Sequence, residues 1–282
     1  RNPVVAGQFY PASASQLRRE VEGLLEAASL LPEAISGHVY GVVAPHAGYV
    51  FSGYTAARAY LALATREALS TLVLLGAVHS WGVDSPTAPA SDAWATPLGE
   101  VQIDNELRAQ LAAELELAIS DRPHNREHSL EVQLPFIQVA FPQTRILPLA
   151  VPPGADVVAF GQALGQALEG QPVAFVASSD LTHYGDSFNF APAGYTETAV
   201  EWVKKENDAR LVRLLERLEA SALVPEAARN HNACGSGALA AAAAACQAQG
   251  ATKGIVLDYR TSYDVLPDDP SHFVGYVALA WL

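Results

Sequence analysis

The chain predicts an α/β fold: a single domain spanning residues 1–282, with a central, mostly mixed β-sheet flanked by helices. Two observations carry this. Apolar, β-branched segments alternate with segments of helical periodicity along nearly the whole length, the pattern of strands covered by helices. Three of the apolar segments, residues 39–43 (VYGVV), 71–76 (TLVLLG) and 172–178 (PVAFVAS), are also almost continuous in hydrophobicity, as strands buried on both faces are. Each is followed within a few residues by polar, metal-capable side chains: His46 after the first, His79 after the second, and Ser179, Asp180 and His183 after the third. In open α/β sheets ligands bind outside the carboxyl ends of the strands, so three such endings predict one shared site at one sheet edge.

In chain order, residues 13–28 place Leu17, Val21, Leu24 and Leu25 on one helical face, with Ser13 or Ser15 as the cap. After strand 39–43, Pro45 and Gly48 stop regular structure, and 52–64 (SGYTAARAYLALA) reads as a helix leading to strand 71–76. Residues 82–99 are rich in Pro, Ser, Asp and Gly and predict a long loop over the site. Helices are expected at 105–117 and 127–139, the second opened by EHSLE, then a strand at 144–151, a helix at 155–168 and the strand at 172–178. A second loop, 179–192, leads to helices at 196–218 and 221–229. Residues 234–249 (CGSGALAAAAAACQAQ) form an alanine-dominated helix whose small side chains allow close packing. Strands at 253–263 and 273–282, joined by the turn-forming LPDDPSH, close the chain.

Composition narrows the function classes. No uninterrupted apolar run approaches the ~20 residues of a membrane span, and the N-terminal RNPVVAGQFYPAS lacks the pattern of a signal peptide. With 17 basic against 30 acidic residues the formal charge is −13, which disfavours nucleic acid and anionic membrane surfaces as partners. Two cysteines, Cys234 and Cys246, are too few for a disulfide framework; if both lie on one helix, about 18 Å separates them. A cytoplasmic location is the expectation. Neither the substrate, a small molecule or a peptide, nor the oligomeric state is encoded in a recognisable pattern.

The candidate residues gain weight from placement. A lone loop histidine is usually a hydrogen-bonded structural residue, but His46 and His79 follow neighbouring strands, and two imidazoles meeting at a sheet edge can share a metal ion. Asp180 and His183, in SSDLTHYG, read either as a local turn or as an acid–base group oriented by a carboxylate. Cys246 sits among alanines, as structural cysteines do. Cys234 instead opens the alanine helix between Ala233 and Gly235, where a helix N-terminus favours the thiolate that binds metal. The cluster His124, Glu127, His128 and Glu131 in HNREHSLE reads as a solvated helix start or as part of the pocket. His128 and, near Cys234, His231 with Asn232 are further candidates for the pocket.

Taken together, GQFYPAS, APHAGYVFSG, LLGAVHSW, TPLGEVQID, EHSLEVQLPF, SSDLTHYG and HNACGSG occur in an order that resembles the Memo family, whose prokaryotic members are called AmmeMemoRadiSam system protein B. That family is similar in fold to the class III extradiol dioxygenases. The resemblance covers almost the whole chain and implies a metal site formed by His46, His79 and Cys234, with Asp180 and His183 lining the same pocket. Two departures accompany it. Ala77 and Val78 precede His79 where the family commonly has a proline and a small polar residue, and Ser80 stands where animal members have a second histidine. The dioxygenases use a carboxylate as third ligand; a thiolate at Cys234 is softer and welcomes copper or zinc as well as iron.

The expectation is therefore a non-heme metal-dependent redox enzyme, dioxygenase-like, with one divalent or redox-active metal ion, iron first and copper or zinc as alternatives, and with His183 moving a proton beside Asp180. The competing reading, implied by the association of animal Memo proteins with phosphopeptides, is a non-catalytic peptide-binding or signalling module using the same pocket. No Lys or Arg lies in the three strand-end motifs to hold a phosphate. A metal-free hydrolase built on Ser179, Asp180 and His183 would lack the nucleophile-elbow glycines.

Overall fold

Four parallel strands form the centre of the structure, a computed structural model that describes residues 1–29, 35, 37–66, 69–80, 82–154 and 156–282. In chain order the elements are α1 (Ala14–Ala27), β1 (Gly41–Ala44), α2 (Tyr49–Leu63), β2 (Thr71–Gly76), β3 (Thr87–Ala88), β4 (Ala93–Thr96), β5 (Gly99–Gln102), α3 (Asn105–Glu114), β6 (Ala118–Ile119), α4 (Leu134–Ala140), β7 (Arg145–Ala150) and α5 (Val157–Ala167). They continue with β8 (Val173–Ser178), β9 (His183–Tyr184), α6 (Glu197–Trp202), α7 (Asp208–Glu216), α8 (Ala220–Asn230), α9 (Ser236–Ala248), β10 (Gly254–Thr261), α10 (Ser262–Val265) and β11 (Phe273–Trp281).

The main sheet has the order β10-β11-β1-β8-β2-β7-β3-β6, with β9 added against β11. β1, β8, β2 and β7 run parallel, whereas β11 is antiparallel to β1 and to β10, and β3 to β7. The sheet is mixed, as the sequence predicts. Its registers pair Ala44 with Ser178, Ser178 with Gly76, and Gly76 with Ala150, so the last residues of all four parallel strands stand in one row. β1, β2 and β8 are buried at every position, which is why their sequences are continuously apolar rather than alternating.

Helices flank the sheet. α2, backed by α1 and α4, covers β1, β10 and β11; α9, backed by α5 and α8, lies over β8, β2 and β1. From Ser236 to Cys246 every residue of α9 is buried, so this helix has no polar face. Its partner α5 meets it through Gly161 and Gly165, where an added Cβ would run into the backbone of Ala241 and Ala245. Glycine on one helix and alanine on the other bring the two backbones together, and dispersion over that close contact holds a helix with few large apolar groups. No helix of the described residues is long and apolar enough to cross a membrane.

Several elements differ from expectation for local reasons. The helix expected from Glu127 starts later: residues 127–128 are irregular, 129–130 turn, a 3₁₀ turn spans Glu131–Gln133, and α4 follows. The Glu127 carboxylate accepts the N–H groups of His128 and Ser129, which holds a turn in place of the first helical turn. The expected 82–99 loop contains β3 and the first strand of a β4–β5 hairpin, in which Trp94 and Thr96 alternate inward. The long helix over 196–218 is interrupted by a π-helical stretch at Val203–Asn207. α2 begins at Tyr49, not Ser52, and α9 begins at Ser236, so Cys234 precedes its helix. Ala155, the expected start of the helix realised as α5, and Trp81 of the LLGAVHSW motif lie outside the described residues.

Candidate metal centre

The row of strand ends places the predicted ligands. Two residues beyond β1, the His46 N–H donates to Asp180 Oδ1 at 2.7 Å, so the loops leaving β1 and β8 are tied together by a buried carboxylate. Three residues beyond β2, the His79 N–H donates to Glu127 Oε2 at 2.7 Å. Cys234 arrives from the other end of the sequence. α8 stops at His231, whose φ of 51° is left-handed, and the chain turns so that Cys234 N–H faces Asp180 O at 3.3 Å and Gly235 N–H donates to Ser179 Oγ at 3.0 Å. A Cβ at Gly235 would stand 2.7 Å from Ser178 O, and one at Gly237 2.6 Å from Pro152 O. Glycine is what lets the start of α9 rest directly on the ends of β8 and β7.

The hydrogen bonds fix both imidazole tautomers. Ser178 Oγ donates to Ser129 O at 2.7 Å and accepts from Gln133 Nε2 at 3.0 Å, so its contact with His46 Nδ1 at 3.0 Å has the ring as donor. Gln133 is itself oriented by Tyr60 OH and Pro45 O. His79 Nδ1 donates to Glu127 Oε1 at 2.9 Å. In each ring Nε2 is the nitrogen not engaged by these braces, and His46 Nε2 lies 3.2 Å from Cys234 Sγ. The three donor atoms of His46, His79 and Cys234 all fall within 4.8 Å of one another. Two imidazole nitrogens and a thiolate, each imidazole braced through its far nitrogen, suit a first-row transition ion with bonds of about 2.0–2.3 Å.

Without an ion, the electrostatics pair a thiolate with a protonated imidazole, whose proton a metal ion would displace. Burial would raise the Cys234 thiol, but the adjoining His46 and His79 imidazoles outweigh it and hold the pKa down to about 6. Burial works in the opposite sense on His79, which hydrogen bonds to Cys234 and Glu127 raise to about 10. His128 is pushed down to about 3 by burial and by His46 and His79, so it is neutral at pH 7. Glu127, although buried, is held well below the usual carboxylate range by His79 and by the N–H groups it accepts.

Glu127 is the residue the sequence reading left without a role. A second trio, His79, Glu127 and His128, has ligand-like spacing as well. The two carboxylate oxygens of Glu127, however, already accept from His79 N, His79 Nδ1, His128 N and Ser129 N, which makes it a brace for His79. HNREHSLE is no solvated helix start: His124, Glu127 and Glu131 are buried. Glu131 accepts from Val4 N, Val5 N and Tyr10 OH, which anchors the GQFYPAS region against the site.

The remaining candidates divide. The His128 ring packs 4.9 Å from that of His79 and 5.4 Å from that of His46, inside the cluster. His183 lies at the edge of the same region on β9. Its Nδ1 donates to Leu181 O at 3.1 Å, so the carbonyl, not Asp180, fixes its tautomer. The expected Asp180–His183 hydrogen bond gives way because Asp180 Oδ1 is turned to the His46 loop. His231 is exposed, caps α8 in the left-handed region and packs on Phe190. Asn232 is buried and donates to Asn207 O, bracing the turn before Cys234.

Known proteins resemble the chain along its whole length. The chain is 35% identical over 285 residues to a MEMO1 family protein of Methanosarcina barkeri, covering 99% of this chain and 98% of the relative. It is 36% identical over 293 residues to a MEMO1 family protein of Methanopyrus kandleri, covering 100% and 98%. Among solved structures, an uncharacterized protein of Escherichia coli K12 aligns with a TM-score of 0.48 and 13% identity over 86% of this chain and 99% of that one. A family model described as Memo-like protein matches residues 1–280. With the family model and the relatives matching along essentially the whole chain, this protein belongs to the Memo family.

Proposed function

We propose that His46, His79 and Cys234 hold one divalent or redox-active metal ion, iron in the first place and copper or zinc as alternatives, and that the protein is a metal-dependent oxidoreductase of dioxygenase-like type. The observation that carries this reading is the convergence of one donor atom each from His46, His79 and Cys234 within 4.8 Å, with both Nδ1 atoms already committed to donation and the Cys234 thiol lowered toward the thiolate. A bound ion would supply Lewis acidity and electron transfer at this point. The chain's own residues do the rest. Glu127 and Ser178 keep the two rings aimed, Asp180 fixes the His46 loop, and His183, with Nδ1 tied to Leu181 O, offers Nε2 to take or return a proton. The His79 side chain is 38% exposed, which leaves an approach for a substrate.

Elemental analysis of protein purified anaerobically and without a metal-affinity tag tests the reading. Stoichiometric iron or copper, lost in His46→Ala and in Cys234→Ala, is the expected result. Zinc alone would replace redox by Lewis-acid chemistry, and a metal-free protein that fails to take up iron, copper or zinc on titration would overturn the reading.

A further inference from the structure

A cavity of about 490 Å³ lies between the start of α2, α10 and the segment entering β11. None of the residues in the metal centre lines it. Its walls are mostly aromatic or apolar: Phe51, Tyr263, Leu266, His272 and Tyr276. Phe188 stacks flat on His272 at 4.9 Å and extends the aromatic surface outward. Leu266 is 58% exposed at the lip, with Val265 at 37% and Val50, beside Phe51, at 71%, so apolar surface is uncovered around the mouth. Contiguous apolar surface of this kind marks a binding site more often than a solvated face. The volume suits a molecule of one ring with a short tail.

The charge at the cavity has one sign. Asp268 and Asp269 line it, and no lysine or arginine does. Asp269 Oδ1 accepts the Ser271 N–H at 2.8 Å, and hydrogen bonding from Ser271 lowers the pKa of that carboxyl, which keeps it ionised at neutral pH. Lys204 and Arg260, two cations near α10, are committed to Asp264 at 2.7 Å and to Asp258 at 2.9 Å. An apolar anion would therefore meet two carboxylates, offset only by His272, while an ammonium group would meet the same carboxylates beside an aromatic lining that includes Tyr263 and Tyr276. We propose that this cavity binds a small amphiphilic cation, its apolar body held among Phe51, Tyr263 and Leu266 and its ammonium group at Asp268 and Asp269. The cavity includes none of the three metal ligands, although Phe188 also packs against His183 at 4.9 Å, and binding there does not depend on an ion at the metal centre.

The test uses the full chain and three isosteric probes, 3-phenylpropylamine, 3-phenylpropanol and 3-phenylpropanoate, titrated at one ionic strength by calorimetry and by NMR shift mapping. The amine is expected to bind most tightly, the alcohol more weakly and the carboxylate least, with shifts centred on Tyr263, Leu266 and His272. The double variant Asp268→Asn/Asp269→Asn should weaken amine binding roughly 3- to 10-fold and leave alcohol binding unchanged, as expected for two exposed charges. Leu266→Ser, at an exposed position that does not support the core, should weaken amine and alcohol alike. Equal affinity for the three probes, no binding by any, shifts centred elsewhere, or a double variant with unchanged amine affinity would each overturn the proposal.

Discussion

Glu127 grips His79 at two points: Oε2 accepts the backbone N–H at 2.7 Å and Oε1 accepts the ring Nδ1–H at 2.9 Å. One buried carboxylate thus sets both the position of the β2 exit loop and the rotation of the imidazole at its end. Glu127→Gln should keep the fold but weaken metal binding about 10- to 100-fold, the usual loss when the group behind a metal-ligating histidine is changed. Glu127→Ala should in addition destabilise the protein by roughly 3–5 kcal/mol, since several buried N–H donors lose their acceptor. Metal titration and urea unfolding separate the two effects; unchanged affinity in Glu127→Gln would show that His79 does not need its brace.

The thiols should differ sharply in metal-free protein. With Cys234 held down to about 6, most of it is thiolate at pH 7, whereas burial raises Cys246 well above the ordinary thiol value. Iodoacetamide should therefore label Cys234 at a rate that rises through about pH 6 and levels off above pH 7, and leave Cys246 untouched. Added metal should protect Cys234. Peptide mapping reads both positions, and equal labelling would count against the assignment.

His183→Ala should retain nearly full metal content, because its Nδ1 is tied to Leu181 O and the three ligands are complete without it. His46→Ala should lose the ion. Once a substrate is identified, His183→Ala should lower turnover by about 10²–10⁴-fold, as removal of a positioned acid–base group does. Loss of metal in His183→Ala as complete as in His46→Ala would move His183 among the ligands.

Asp208 gives a pH signature of a group that is not itself a proposed metal ligand. It is fully buried, accepts from Thr182 and Tyr259, and has a pKa raised by burial from 3.8 to about 6. The folded state then holds the proton more tightly than the unfolded chain, so this group's contribution to stability falls as pH rises from about 4 to 6. The total change is about 3 kcal/mol. Asp208→Asn should lack this slope. Urea midpoints of both proteins at intervals from pH 4 to 7 check it, and parallel curves would refute it.

Gly161→Ala tests the packing of α5 on α9. The added Cβ meets Ala241 backbone, which cannot rotate away, so the helices must separate at a cost of about 1–3 kcal/mol. Gly23, with open space around its Cβ position, is the control: Gly23→Ala in exposed α1 should stabilise by up to about 1 kcal/mol. Denaturant unfolding of the two variants should give shifts of opposite sign.

The sequence by itself determined which residues could be ligands and on which kind of element they would sit. Continuous apolar runs at 71–76 and 172–178 needed no partner to be recognised, because burial on both faces of a parallel strand leaves its mark residue by residue. His46, His79 and Cys234 were legible for a related reason: each interrupts an apolar or small-residue context at a point where regular structure begins or ends. Short inward alternation at Trp94 and Thr96 was hidden by a polar, proline-containing neighbourhood, and the helix expected at Glu127 failed because propensity does not register a carboxylate that caps its own following N–H groups. What only the tertiary structure decided was who faces whom. Asp180 lies three residues from His183 in sequence yet turns to His46, and Glu127 sits beside His128 yet braces His79, because hydrogen-bond partners are chosen by the register of Ala44, Ser178 and Gly76 across the sheet and not by distance along the chain.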